Sequence, residues 1–496
     1  MNKNDRIALI NSYFKLHSIV DSDILSYNQF IEEGMQKIID ERKIIEPSVL
    51  PVDVDEFKIK FGKVKMSKPQ VIEADGSTRA IYPNEVRLRN LSYTGRITVE
   101  VSSLLNGIQR DSFLADIGNF PVMLRSKYCH LNGLNEKELI DQGEDPYDTG
   151  GYFIINGVEK VIVKFEELAE NNILIQEDSK GNKVAKTFSS SGQYKIVHSL
   201  EKDKEDVLKV RFSRYSFPVV LALKALGLTS DKDIAAFSSH NGQPMDIVVL
   251  NLYKFMDVKT QEEALERLSK DILTTATKEQ KIEQIKEVLE NVFYPHVNKQ
   301  DKNDNLYKAY YLCKLVKKYL MVVEGFAPLD ERDHYLHKRI KFSGDALEDL
   351  FRMSFNLLIN DLNYSFQRSI KRGKIPKVRV LVRENLFSNK VMGAMSTGEW
   401  SPSRLGVAQR LQRINFSELI SHLQRVSSSL SSSQTNFDAR QFHPSHVGRL
   451  CPIETPEGPT IGLRKNMSML AQVSLNSNNE ELEDKLKDIG LRPISR

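Results

Sequence analysis

At 496 residues the chain has length for about two to four domains. Its composition, 27% charged and 40% hydrophobic, is that of a globular protein and excludes a disordered or fibrous one. A formal net charge of only +4 excludes the strongly basic class whose charge alone points to a polyanionic partner, and Cys129, Cys313 and Cys451 lie too far apart, with no CxxC pair, for a structural zinc site.

The amino terminus lacks the apolar stretch and small-residue cleavage site of a signal peptide, and no run of about 18 apolar residues follows anywhere. With scattered cysteines that fit a reducing compartment, we expect a cytoplasmic protein with no membrane partner. Ile7, Ile10, Tyr13, Phe14 and Ile19 recur at helical spacing, and a second helix is expected from Ile24 to Arg42. From Phe57 to Ser103 the pattern alternates, as in FKIKFGKVKM and YTGRITVEVSSLL, and reads as strands joined by turns that include Asp75-Gly76. GGYFIINGVEKVIV, from Gly150 to Val163, is a hairpin with Asn156-Gly157 at its turn.

Beyond Lys164 the character changes. Residues 258–292 and Tyr307 to Val323 read as helices, with HVNKQDKNDN, from His296 to Asn305, as the loop between them. We expect a separate, mostly α module inserted into the first domain here. A long amphipathic helix is expected from Asp345 to Phe366, with Leu347, Leu350, Phe351, Leu357, Leu358, Leu362 and Phe366 on one face. It leads into a basic cluster of Arg368, Lys371, Arg372, Lys374, Lys377, Arg379 and Arg383; Arg332, His334, Lys338 and Arg339 form a second basic group. A phosphate-lined groove and an ordinary solvated face explain any one of these cations equally well.

The segment Ser427 to Ser433, SSSLSSS, has too little apolar surface to pack firmly and reads as a loop. Arg425 and Arg440 bracket it, and a guanidinium presents a planar fork of donors that suits phosphate; a local salt bridge would use Arg425 as well. From Arg440 to Leu463 runs RQFHPSHVGRLCPIETPEGPTIGL, where Pro444, Pro452, Pro456 and Pro459 forbid a regular ladder and Gly448, Gly458 and Gly462 permit close approaches. Segments of this kind are concentrated in functional loops. His443 and His446 lack a third ligand and have a proline between them, so we read them as hydrogen-bonded structural residues and expect no metal site. Glu454 and Glu457 are suited either to acid–base or Mg²⁺ chemistry or to holding arginines and backbone N–H groups. No aspartate triad of the NADFDGD type, Walker loop or nucleophile elbow is present, so no catalytic residue is expected in this chain alone.

These motifs resemble the amino-terminal part of the second-largest, beta-like subunit of multisubunit DNA-directed RNA polymerases, in its archaeal form. The HPSHVGRLCPIETPEGPTIGL segment carries the resemblance. IGNFPVMLRSKYCHL (Ile117 to Leu131), GGYFIINGVEKVIV, RDHYLHKRIKFSGD (Arg332 to Asp345) and AMSTGEWSPSRLGVAQRLQRIN (Ala394 to Asn415) accompany it in the family's order. The resemblance implies an α+β, multidomain fold: a mixed protrusion domain (1–164 and 331–395) interrupted by a mostly helical lobe (165–330), then a fork domain (396–472). Residues 473–496 would begin an external region, near the point where several archaeal relatives divide the subunit into two chains.

It further implies that Ser427, Ser428, Ser429, Ser431, Ser432 and Ser433 form the fork loop where downstream DNA opens. Arg425, Arg440, Glu457 and Lys465 would contact nucleic acid or the active centre, and Arg332, Lys338, Arg339, Lys371 and Arg372 would line a basic groove. The catalytic Mg²⁺ would sit in the largest subunit, leaving Glu454 and Glu457 to orient the loop. Expected partners are the carboxy-terminal half of the same subunit, the largest and other polymerase subunits, DNA template and RNA. Relatives carry Arg, Pro and Arg where this chain has Gln424, Ser429 and Ser432, and an aromatic residue in place of Val447. Two other readings stay open: a standalone nucleic-acid-binding protein without polymerase activity, and a regulatory decoy that pairs with polymerase subunits.

Overall fold

Asn2 starts the first helix: its side chain accepts the Asp5 N–H at 3.0 Å, the Asp5 carboxylate accepts the Asn2 N–H at 3.1 Å, and the helix runs Lys3–Leu16. The computed structural model describes residues 2–47, 50, 54–178, 180–192, 194–239, 245–270, 277–297, 305–373, 376–401, 404–433, 436–473 and 479–490. Lys374 of the basic cluster, residues 298–304 of the expected loop, and residues 474–478 and 491–496 of the last segment lie outside the described residues. The chain forms two units, Met1–Glu166 with Ile340–Arg496, and Glu167–Arg339, where the sequence reading set the inserted module at 165–330.

In the first unit the second helix divides into Asp21–Gln29, a π turn Phe30–Gly34, and Met35–Glu41. Four antiparallel strands follow, in the order Ile44–Ile45, Phe57–Met66, Thr94–Leu105, Ile108–Pro121. Their alternation puts Phe57, Ile59, Phe61, Ile97, Val99 and Val101 on the buried face. Against that face lies the long helix Ser343–Ile370. Phe366 stacks on Phe57 at 4.7 Å between ring centroids, Phe355 meets Phe61 at 5.5 Å, and Phe351 meets Phe120 at 5.9 Å. Each such fully buried ring contributes about 1.5–3 kcal/mol, so this face accounts for much of the unit's stability. Leu357, which we placed on the buried face, lies at its margin and is 40% exposed. The Asn156-Gly157 turn has φ of 50° and 73°, the two positive angles of a type I′ hairpin, between Phe153–Ile155 and Val158–Ile162.

The second unit holds six helices, Val219–Ala225, Asp231–Phe237, Asp246–Lys254, Gln261–Ser269, Lys278–Asn291 and Asn305–Val323, among its described residues. It also holds a five-stranded antiparallel meander, Ile173–Glu177, Lys183–Ser191, Tyr194–Lys202, Leu208–Phe212 and Tyr215–Pro218, which the mostly helical reading left out. The inward residues of its central strands include Thr187, Ser189 and His198, all buried, and their polarity hides the alternation that marks a strand. Two lysines are buried inside this unit with partners. Lys224 pairs with Asp231 at 2.8 Å, and Lys308 donates to the Leu289 and Glu290 carbonyls at the end of the helix Lys278–Asn291, at 2.8 and 2.6 Å.

His198 stacks between Phe212 and Tyr294, and its Nε2 accepts the Tyr294 N–H at 3.3 Å, which fixes the neutral ring with that nitrogen unprotonated. Burial pulls its pKa down to about 3, with His296 and Lys308 adding to the effect; burial likewise pulls His296 down to about 4. Both are neutral in the folded state and take up protons in the unfolded chain below about pH 6.5. Stability therefore stands in full above about pH 6.5 and falls as the pH drops toward 3–4, by roughly 1.4 kcal/mol per pH unit for each histidine. Imidazole NMR should show no titration of His198 above pH 5 in the folded protein, with unfolding setting in on acidification before the ring takes up its proton.

No helix among the described residues is long and apolar enough to cross a membrane.

Candidate nucleic-acid interface

Asn415 caps the helix Phe416–Gln424 by accepting the Glu418 N–H at 2.8 Å, and the helix delivers the chain directly into the strand Arg425–Ser428. That strand is an interior strand of a four-stranded sheet. It runs parallel to Lys164–Leu168, with Val426 opposite Lys164, and antiparallel to Arg464–Asn466, with Val426 opposite Lys465. Two buried ion pairs hold it. Lys164 lies 2.5 Å from Asp23, donates to the Leu423 carbonyl at 2.5 Å, and stands over the Phe342 ring. Lys465 lies 3.1 Å from Glu166.

This location corrects the contact role we expected of Lys465. Successive side chains of a strand take opposite faces, so only one of Arg464 and Lys465 can point outward. The structure buries Lys465 against Glu166 and exposes Arg464. Arg464 was missed because the sequence does not show which of two adjacent cations faces in. Gln424 is buried too: its Nε2 donates to the Ile19 carbonyl at 2.9 Å, so this position faces the core and not the loop.

Arg425 is half-buried beside Glu418, at 3.6 Å, and donates to Gln412 at 3.4 Å. Burial lowers its pKa, with Glu418 opposing and the Arg464 charge adding to the effect. Burial, together with the charges of Arg425 and Arg464, also pulls His422 down to about 4; its Nδ1 accepts the Gln412 N–H at 3.2 Å. Two guanidinium groups, one of them exposed, thus lie at the foot of the serine loop.

Beyond the strand, Ser429 to Ser433 turn outward, with Ser431 and Ser433 sharing a hydrogen bond at 2.8 Å. Arg440 closes the loop from behind. Its guanidinium donates to the carbonyls of Ser432 at 3.0 Å, Pro459 at 2.7 Å and Ile461 at 3.0 Å, tying the serine loop to the PEGPTIGL turn. Its backbone packs against Gly462, where φ is +71° and an added Cβ would lie 2.6 Å from the Arg440 Cα. Thr455 fastens the same turn: its hydroxyl donates to the Arg464 carbonyl at 2.8 Å and accepts the Gly462 N–H at 2.9 Å. Glu454 accepts from the Ser421 hydroxyl, and Glu457 is exposed at the tip.

His443 and His446 are held by hydrogen bonds. Ser445 donates its N–H to His443 Nδ1 at 3.1 Å, and the His443 N–H reaches His446 Nδ1 at 3.3 Å. No group of three or more His, Cys, Asp or Glu able to hold a metal ion occurs among the described residues. Residues 452–459 are exposed without a break, and the apolar side chains of Phe437, Phe442, Val447, Ile453 and Ile461 are exposed around them, Ile453 at 85%. Exposed apolar side chains of this kind are the surface type that often marks interaction sites.

The remaining expected cations fall in different units. Arg332, Lys338 and Arg339 belong to the second unit and Lys371 and Arg372 to the first. Lys338 is buried and paired with Asp333 at 3.0 Å, which departs from the groove role expected of it. Arg339 is exposed and donates to the Leu336 and Lys338 carbonyls, while Arg332, Lys371 and Arg372 are exposed.

Comparison with known proteins agrees with the motifs. A family model described as RNA polymerase beta subunit matches residues 18–389, and one described as RNA polymerase Rpb2, domain 3, matches residues 409–473. The DNA-directed RNA polymerase subunit Rpo2N of Halobacterium salinarum is 36% identical over 509 residues, spanning 100% of this chain and 97% of its own. That of Methanocaldococcus jannaschii is 37% identical over 495 residues, spanning 97% of this chain and 98% of its own. The subunit Rpo2 of Saccharolobus shibatae is 34% identical over 496 residues, spanning 99% of this chain and 43% of that longer protein.

Proposed function

This chain belongs to the RNA polymerase beta-subunit family, in its archaeal second-largest-subunit branch, and from that premise we propose that it forms one wall of the DNA cleft and the fork beside the active centre. It is a subunit of an archaeal DNA-directed RNA polymerase, and catalysis belongs to the complex. The first unit would supply the protrusion and fork, and the second the lobe.

One observation carries the reading: an exposed irregular segment, 452–461, is braced internally by Arg440 and Thr455 and so presents a fixed surface outward. A wall of this kind acts by position and charge. Arg425 and Arg464 would meet phosphate at the foot of the serine loop, with Arg464 taking the role expected of Lys465. Arg440 is a positioning residue, its donors spent on three carbonyls that set the loop. Glu457, at the tip, would face the nucleotide-addition site. The catalytic Mg²⁺ would be held by the largest subunit. The exposed apolar side chains from Phe437 to Ile461 would be covered by the carboxy-terminal half of the subunit, a part that the longer Saccharolobus chain, of which this chain spans 43%, would carry in one piece. DNA template and RNA are the remaining partners, in the cytoplasm.

Reconstitution tests this. The chain, co-expressed with a carboxy-terminal half and a largest subunit bearing an aspartate triad, should assemble and make templated RNA. Arg440→Ala should assemble normally yet elongate about 10- to 100-fold more slowly, the range a misplaced positioning element produces. A chain that binds DNA but never joins active enzyme would instead be a standalone binding protein, and unchanged elongation by Arg440→Ala would remove that residue from the account.

A further inference from the structure

The strand Ile108–Pro121 pairs with Thr94–Leu105 on one side and forms the edge of its sheet on the other. Near its carboxyl end that edge is covered, where the Asn119 N–H donates to Ser388 Oγ at 2.9 Å and Gly118 packs under Glu384 and Phe387. Just before this cover a groove of about 620 Å³ opens between the strand and the start of the helix Glu384–Thr397. Phe113, Leu114, Ala115 and Asp116 line its strand side. Consecutive side chains of a strand point to opposite faces, so a cavity that touches four in a row runs along the edge and not against one face. Among the described residues, the backbone of 108–116 makes no hydrogen bond outside the sheet, which leaves alternate N–H and C=O groups open toward the groove.

The far wall brings Arg379, Val382, Arg383 and Leu386. Asp116 is already paired with Arg96 at 3.0 Å and Arg383 with Asp361 at 3.4 Å. Glu384 sits in the first turn of its helix, where the macrodipole offsets its charge. The lining carries as many carboxylates (Asp116, Glu384) as guanidiniums (Arg379, Arg383), but Arg379 is exposed and has no carboxylate partner among the described residues, so its guanidinium stands open to an incoming carboxylate. Leu114 and Val380, 65% and 79% exposed, flank it with apolar surface.

We propose that this groove binds an extended peptide segment of another protein as an added strand, with an aliphatic side chain against Phe113, Val382 and Leu386 and a carboxylate on Arg379. An open strand edge selects an extended backbone, because a helix has no backbone donors or acceptors left to offer. Four edge residues span about 13 Å, which pairs with roughly four residues of a partner strand, so a heptapeptide covers the groove with residues to spare at each end.

The test uses a fluorescein-labelled heptapeptide of alternating valine and glutamate, titrated into the 496-residue chain by fluorescence anisotropy and followed by amide hydrogen exchange. Binding should slow exchange within 108–116. N-methylation along the peptide edge that faces the strand should weaken binding at least about tenfold, while N-methylation along the other edge should leave it unchanged. Arg379→Glu, an exposed substitution whose fold is checked by circular dichroism, should weaken the glutamate peptide about tenfold and admit a valine–lysine peptide in its place. No binding at millimolar peptide, binding indifferent to N-methylation on both edges, or protection elsewhere in the chain would each overturn the proposal.

Discussion

Gly462→Ala is expected to lower templated RNA synthesis by the assembled enzyme about 100-fold or more while leaving the body of the subunit folded. Gly462 has φ of +71°, a conformation that costs a residue with a side chain about 1–2 kcal/mol. The larger effect is steric. The new Cβ would fall against the Arg440 backbone, 2.6 Å from its Cα and 2.7 Å from its carbonyl carbon, and backbone cannot rotate out of the way as a side-chain tip can. The turn would have to move. With it would go the Gly462 N–H donated to Thr455 and the Pro459 and Ile461 carbonyls that Arg440 holds. Because the neighbouring 452–461 lies on the surface and can give way, the loss of stability should stay near about 1–2 kcal/mol and leave the unit folded, which separates a positioning defect from unfolding. Synthesis within about twofold of the unmodified enzyme would mean that this conformation does not matter to the reaction.

Lys164→Ala is expected to destabilise the first unit by about 3–5 kcal/mol, the cost of leaving one partner of a buried ion pair alone. Lys164 and Asp23 are both almost fully buried, and the same ammonium satisfies the Leu423 carbonyl at the end of the helix that feeds the serine loop. Its loss strands a carboxylate and a carbonyl together. A double variant, Lys164→Met with Asp23→Leu, should recover most of the stability, because the uncompensated charge is gone. Trp400, the only tryptophan and 1% exposed in the core of this unit, reports the unfolding by fluorescence. A loss of under about 1 kcal/mol for the single variant would show that the pair carries no structural weight.

The parts of the fold that were readable in advance are those written in backbone chemistry. Asn156-Gly157 required two positive φ angles and so marked its hairpin, and the spacing of Leu347, Leu350, Phe351 and Leu358 marked the long helix before its partners were known. The proline and glycine punctuation from Pro444 to Gly462 likewise announced an irregular, ordered segment. The meander in the second unit was not readable, because Thr187, Ser189 and His198 fill the inward positions where apolar residues would have shown the alternation. Within the site, the order of burial in Arg464-Lys465 depends on which face of a short strand meets Glu166, nearly 300 residues away in sequence, and no local pattern carries that information. Arg440 was expected to contact nucleic acid or the active centre; that its guanidinium holds three carbonyls emerges only when the serine loop and the PEGPTIGL turn are seen side by side.

The measurement that bears most directly on the central claim is photo-crosslinking from the serine loop. Ser431 is exposed and, among the described residues, its side chain bonds to Ser433 of its own loop, so a photoreactive residue there should disturb little. In assembled enzyme on a DNA–RNA scaffold, irradiation should join this position to DNA close to where the strands open ahead of the growing RNA end. Crosslinks confined to protein, in enzyme that is actively making RNA, would contradict the assignment of this segment as the fork.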